Sequence, residues 1–192
     1  MHFQMNNRII RVFLLLSLSF VTHHIFAQNK KSNSIGSHFD LGLSYYAAIG
    51  MRGTSYDSKY YYIIGLDFTR LFSECWGLRS GLDFTCNYMI MNTNKATGQK
   101  SSVDIHLKMV TIPVHFLYYV NKFFFLNGGT SLNVILENTK ISIGSSFGVG
   151  LEHTLKSGLT YSLNPYIRWN GIIVDQYQLL QMGANLRIGY RF

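Results

Sequence analysis

The sequence predicts an all-β fold: eight antiparallel strands in up-and-down order, closed into a transmembrane barrel. Three observations predict it. Apolar and polar residues alternate with a period of two in eight separate segments, and no stretch carries the 3.6-residue period of an amphipathic helix. The polar face of those segments is built from Gly, Ser, Asn and Thr with about one charge per strand, too few for a solvated surface. The connections alternate between short turns and longer polar loops, as in a barrel with one short-turn rim.

Composition agrees. Of 192 residues only 14% are charged, 15% are aromatic (13 Tyr, 14 Phe and 2 Trp), and just 2 are Pro. Tyr, Phe, Ile and Val suit pleated surfaces. The start of the chain is read apart from the fold. Arg8 and Arg11 precede the short apolar run Val12 to Val21, and Ala27 offers a small residue for cleavage. Residues 1–27 therefore read as a secretory signal peptide, too short in its apolar part to span a bilayer as a helix. Ile25 stands where a small residue is usual, and no Cys follows the run to take a lipid anchor. Removal would take out two Arg from a net charge of +8. Residues 28–37 form a polar periplasmic lead, and 38–192 the barrel.

The first segment, "HFDLGLSYY", sets Phe39, Leu41, Leu43 and Tyr45 against Asp40, Gly42 and Ser44. In "YIIGLDFTR", Tyr62, Ile64, Leu66 and Phe68 oppose Ile63, Gly65, Asp67 and Thr69. "WGLRSGLDFTCNY" places Leu78, Leu82, Phe84 and Tyr88 opposite Arg79, Gly81, Asp83 and Asn87. The fourth segment, "IHLKMVTIPVHFLYY", changes phase: Ile105, Leu107 and Met109 give way to Ile112, Val114, Phe116 and Tyr118, which predicts a bulge near Val110. Pro113 then faces the polar side and costs a ladder hydrogen bond. Phe123 to Leu136 alternates Phe124, Leu126 and Leu132 with Phe125, Asn127 and Ser131, and "ISIGSSFGVGLE" alternates Ile143, Phe147 and Val149 with Gly144, Ser146 and Gly148. "LTYSLNPYIRW" sets Leu159, Tyr161 and Trp169 against Thr160, Ser162 and Arg168. The last runs from about Gln178 to Phe192, with Leu180, Met182, Ala184, Leu186, Ile188, Tyr190 and Phe192 on the apolar face.

A soluble ligand carrier of the lipocalin type would turn the apolar face inward, whereas a membrane barrel turns it to lipid. Small residues and sparse charges fit a narrow interior. Aromatic residues gather in two zones: Phe68, Phe72, Trp76, Tyr118, Phe124 and Tyr190 near the short turns, and Tyr45, Tyr60 to Tyr62, Tyr88, Trp169 and Tyr177 near the long loops. Two such zones match interfacial girdles, so the membrane reading is preferred. Long polar loops are expected over Ala47–Lys59 and Met89–Asp104, a medium one over Asn170–Tyr177, and a short link at Glu137–Lys140.

The final stretch "LRIGYRF" looks like the C-terminal strand recognised by the outer-membrane barrel assembly machinery, with Leu186, Ile188, Tyr190 and Phe192 as its apolar signal. With "FAQ", "WGLRSGLDFT" and "VTIPVHFLYYV", the mature chain resembles small outer-membrane barrels of Bacteroidetes, the PorT-like or OmpA-like group. That resemblance implies an integral protein of the Gram-negative outer membrane, porin-like in fold and in contact with outer-membrane lipid and lipopolysaccharide. Some members of the group are tied to protein export. The short link at Glu137–Lys140 departs from a four-loop layout.

Asp40, Asp67, Asp83 and Glu152 share the inward face with Arg79, Arg168, Arg187 and Arg191. Unpaired charges in a closed interior are costly, so these eight are expected to form one ion-pair network. An eight-strand barrel is too narrow for a solute channel. A lipid-modifying barrel enzyme is the alternative from another class. The hydroxyls near the apolar face are Ser80, Thr130 and Ser145, none with a His two residues away. His115 shares the polar face with Thr111 and Tyr119, while His38, His106 and His153 lie near strand ends. The expectation is a non-enzymatic structural or interaction protein acting through outward loops, with no cofactor. Cys75 and Cys86 stand eleven positions apart along one extended segment, beyond disulfide reach and without metal-ligand spacing. The loop cations Arg52, Lys59, Lys95 and Lys100 could meet lipid phosphates or an envelope protein partner. Nothing forms a stacking groove for nucleic acid.

Overall fold

In the computed structural model, the alternating segments become eight strands: β1 (Asn33–Ala48), β2 (Thr54–Leu71), β3 (Trp76–Asn94), β4 (Lys100–Tyr119), β5 (Phe124–Ile135), β6 (Lys140–Thr154), β7 (Leu159–Ile173) and β8 (Tyr177–Arg191). The structure describes residues 33–48, 54–94, 100–137, 139–173 and 177–192. The expected signal peptide, 1–27, and residues 28–32 of the expected lead lie outside them. Residues 33–37, expected before the barrel, belong to it, because β1 already begins at Asn33.

Each strand pairs antiparallel with its neighbours in sequence, and β1 pairs with β8, so the sheet is a closed barrel. Closure removes the two sheet edges that would otherwise stay unpaired in lipid. The last residue takes part in it. Phe192 donates its backbone N–H to the Asn33 carbonyl at 2.8 Å and accepts from the Asn33 N–H at 3.2 Å.

The period-2 faces separate as expected. Outward side chains such as Leu41, Leu66, Leu82, Phe116, Leu163, Leu186 and Ile188 are exposed, whereas Asp40, Asp67, Arg79, Asp83, Glu152, Arg168 and Arg187 are buried. A soluble carrier would show the reverse.

Two expectations are corrected. First, β4 has no bulge near Val110: its register with β3 and with β5 is unbroken. Met109, Leu107 and Ile135 turn inward and pack with Met89 and Leu179. The change of phase in the sequence marks a change in what fills the lumen, from amides to apolar side chains. Register breaks occur instead in β2 between Ser58 and Tyr61 and at the Ile143/Gly144 step of the β6–β7 pair. At the latter, Gly171 adopts φ 85°, a conformation open to glycine at little cost. Second, much of the expected long loops is strand. β2, β3 and β4 run for 18, 19 and 20 residues, against 12 for β5, while a membrane crossing needs roughly 9–11. The short 136–139 link leaves a low rim on one side, and the β2–β3–β4 ridge rises beyond it.

Candidate functional site

The barrel interior holds nearly all the polar chemistry, and its side chains stack in layers along the axis. Nearest the short turns, Leu117, Tyr119 and Phe125 form an apolar cluster with Leu71 packed against it. The Arg79 guanidinium sits over the Phe125 ring, 5.6 Å from its centre. Gly150 makes room for that ring, since a Cβ there would lie 2.4 Å from Phe125 Cζ.

Above lies the ion-pair network. Glu152 accepts from Arg191 Nη2 at 2.5 Å, from Tyr119 Oη at 3.0 Å and from Arg79 Nη2 at 3.2 Å. Arg79 Nε donates to Thr69 Oγ1 at 2.9 Å. Arg187 grips Asp67, with Nε at 2.8 and 2.9 Å from the two carboxylate oxygens and Nη2 at 2.7 Å from Oδ1. Asp83 faces Arg168 Nη2 at 3.3 Å, and Asp40 accepts from Asn185 Nδ2 at 2.6 Å. All eight residues read from the sequence as interior charges stand in this lumen. Seven of them connect through direct contacts or His38, while Asp40 joins through Asn185 and its neighbours.

His38 corrects the sequence reading. It lies within the lumen rather than at a strand end, with Nδ1 3.3 Å from Asp67 and Nε2 3.2 Å from Asp83. The signal was present, since His38 stands two residues from Asp40 and shares its face. Gly65 clears the space, because a Cβ there would lie 2.4 Å from the imidazole. His115 accompanies Thr111 and Tyr119 on the inner face as expected, and its Nε2 meets Ser146 Oγ at 2.7 Å. This Ser–His pair joins β4 to β6, so no local spacing reveals it. Of the outward hydroxyls, Ser80 donates to the Pro113 carbonyl at 2.8 Å. Pro113 lines the lumen, and the β3–β4 ladder skips its pairing position.

Next come Ile63 and a hydroxyl pair, with Tyr61 donating to Tyr166 at 3.0 Å. Tyr61 therefore leaves the aromatic zone to which its neighbours Tyr60 and Tyr62 belong. Above it an amide belt crosses the lumen. Thr111 donates to Asn133 (2.9 Å), Asn133 to Asn170 (3.1 Å), Asn170 to Gln181 (3.0 Å) and Gln181 to Asn87 (2.8 Å). Gly144 of β6 leaves the space through which Asn133 reaches Asn170. The Met89–Met109–Leu179 cluster closes the far end.

The outer wall carries two aromatic zones. At the short-turn end Trp76 packs on Tyr118 (4.7 Å between ring centres), and His153 stacks between Phe123 and Tyr161. At the other end Tyr60 stacks on Tyr88 at 4.6 Å, with Tyr62 and His106 against the same ring. The apolar wall between them meets membrane lipid. On the ridge, Lys59 pairs with Asp104 at 2.9 Å, Asn92 donates to Asp57 at 2.6 Å, and Ser102 donates to Asn92 at 2.6 Å. Arg52 and Lys95 lie outside the described residues. Cys75 is exposed in the β2–β3 turn and Cys86 is buried near the other end, both as free thiols. Among the described residues, no cluster of His, Cys, Asp and Glu has the geometry of a metal site.

Residues 26–192 match the family model described as outer membrane protein beta-barrel domain. Among solved structures, the outer membrane protein OprG from Pseudomonas aeruginosa is similar at 15% identity, with 84% of this chain and 96% of that chain covered and a TM-score of 0.55. AlkL in lipid bilayers shares 12% identity over 86% of this chain and 92% of its own, with a TM-score of 0.47. The attachment invasion locus protein Ail of Yersinia pestis shares 12% over 85% and 100%, with a TM-score of 0.40. No curated protein sequence matches the chain.

Proposed function

We propose that this chain, which belongs to the outer membrane protein beta-barrel domain family and is an integral barrel of the outer membrane, is a non-enzymatic structural or interaction protein. Its working surface in this reading is the β2–β3–β4 ridge, presented outside the cell. The observation that carries it is the open flank of β4. Strand β5 pairs with β4 only from Met109 onward, so among the described residues nothing pairs with Lys100–Leu107 on the side away from β3. Lys108 marks where the edge begins: its carbonyl accepts from Leu136 N–H at 3.0 Å, and its N–H donates to the Glu137 carboxylate at 2.7 Å. By alternation the backbone groups of His106, Asp104 and Ser102 point to the same open side. An exposed strand edge of this kind can accept an extended segment of another protein.

Partners within the proposal are lipopolysaccharide around the rim, the barrel assembly machinery acting on the Leu186, Ile188, Tyr190 and Phe192 strand, and an envelope protein on the ridge. The likeness to PorT-like barrels of Bacteroidetes supports an accessory role in envelope or protein-export functions.

The test is photo-crosslinking from Ser102 in intact envelopes. One specific adduct is expected, lost on Asp104→Pro. No adduct from any ridge position would end the ridge reading, and a change in lipid A mass on expression would favour the enzyme.

A further inference from the structure

We propose that a groove on the outer wall holds one glycerophospholipid of the periplasmic leaflet, its acyl chains against β7, β8 and β1 and its phosphate beside His153, Lys122 and Lys156. The groove has a volume of about 740 Å³ and is lined by Phe39, Ile64, Leu151, Leu163, Leu186 and Ile188 among others. That size falls within the roughly 300–1,000 Å³ of ligand clefts. Ser37 makes the depression. It points outward, paired with Leu66 of β2 and Ile188 of β8, a small side chain between two large ones.

The groove climbs through the membrane. At one end stand His153, next to last in β6, and Phe123 of the β4–β5 turn, level with the short-turn aromatic zone. At the other end Ile64 lies well inside β2, far from its short-turn end at Leu71. The groove therefore rises from headgroup level toward the bilayer centre, the path of an acyl chain. Its lower end carries donors. His153 stacks between Phe123 and Tyr161. Among the described residues, no hydrogen bond or ion pair engages its ring nitrogens, the Tyr161 hydroxyl or the ammonium groups of Lys122 and Lys156. The Phe123 carbonyl accepts from Glu152 N–H at 2.7 Å, which fixes the turn bearing Lys122 against β6. Gly158 N–H donates to the Leu155 carbonyl at 2.9 Å and closes the turn bearing Lys156. Glu152 itself faces inward, where Arg79 and Arg191 hold it. A phosphate supplies the negative charge and the acceptor oxygens that this set of donors lacks. The groove lies at the opposite end of the barrel from the ridge, so its failure would leave the ridge reading untouched.

Native mass spectrometry of the detergent-solubilised full-length protein tests this, with palmitoyl-oleoyl-phosphatidylglycerol as the probe. One lipid is expected to stay bound, and diacylglycerol with the same chains is not. Ser37→Phe fills the depression and should abolish retention, while Lys122→Glu with Lys156→Glu should weaken it about tenfold. Leu82→Phe, on the β3 wall, should leave it unchanged. Heat-modifiable migration reports whether each variant is a closed barrel. No retention, retention indifferent to the Ser37 and lysine changes, equal retention of diacylglycerol, or a dimer that carries no lipid overturns the proposal. In vesicles, a photoactivatable diazirine phosphatidylglycerol should label Leu151, Leu163 and Leu186 first, and labelling spread evenly around the wall would equally overturn it.

Discussion

At the scale of single residues, the interior is dear to alter because each charge is spoken for. Arg187 is 1% exposed and holds both oxygens of Asp67. Replacing it with Ala leaves the buried Asp67 carboxylate with only His38 at 3.3 Å and Arg79 at 4.0 Å, with an expected loss of roughly 3–5 kcal/mol in unfolding free energy, measured by urea titration in lipid vesicles. Gly65→Leu is expected to prevent folding outright, since even a Cβ at that position meets the His38 ring and the Asp83 carboxylate. The exposed pair behaves differently. The Lys59 ammonium beside Asp104 holds that carboxyl below its ordinary range. A lowered value means that the interaction is present above the usual carboxylate pKa and is lost as pH falls through the lowered one. Solvent and salt screen it, so Asp104→Asn is expected to leave the unfolding midpoint unchanged at neutral pH.

At the scale of elements, the strand faces decide what each substitution does. Leu186 lies in the middle of β8 on the lipid side, 57% exposed, and Leu186→Arg is expected to cost about 2–4 kcal/mol of insertion free energy. Loss of heat-modifiable migration on a denaturing gel would report it. Proline separates the two sides of β4. Asp104→Pro removes an N–H from the open flank and should leave the barrel intact. Val103→Pro removes one directed at Met91 of β3 and should loosen the ridge. Protease cleavage of the ridge in intact cells distinguishes the two.

At the scale of the whole molecule, closure depends on both ends of the described chain. Asn33 and Phe192 exchange backbone hydrogen bonds at the β1–β8 seam. Removing Phe192 is therefore expected to slow barrel closure, read as accumulation of the unclosed, heat-insensitive species during refolding into lipid vesicles. Phe192 is also 51% exposed on the wall, where its ring meets lipid. The barrel is asymmetric: the low β5–β6 rim adjoins the tall β2–β3–β4 ridge, and the open flank of β4 lies at that step.

Alternation along the chain by itself determined which side chains face lipid and which face the lumen, because a strand has no other way to dispose of successive residues. That is why the eight interior charges, the lipid-facing wall and most of both aromatic zones were legible from residue types alone. Strand length was not, because Tyr, Ser, Asn and Lys continue a strand as readily as they leave it, and the Ile105–Leu107–Met109 run was misread because a barrel mouth can be apolar inside. Only the closed structure decided who meets whom across the lumen: Arg187 with Asp67, His38 between Asp67 and Asp83, Ser146 with His115, Gln181 with Asn87. Those partners are up to 120 positions apart. Their heights along the axis are set by the tilt and stagger of all eight strands together, and no single segment carries that information.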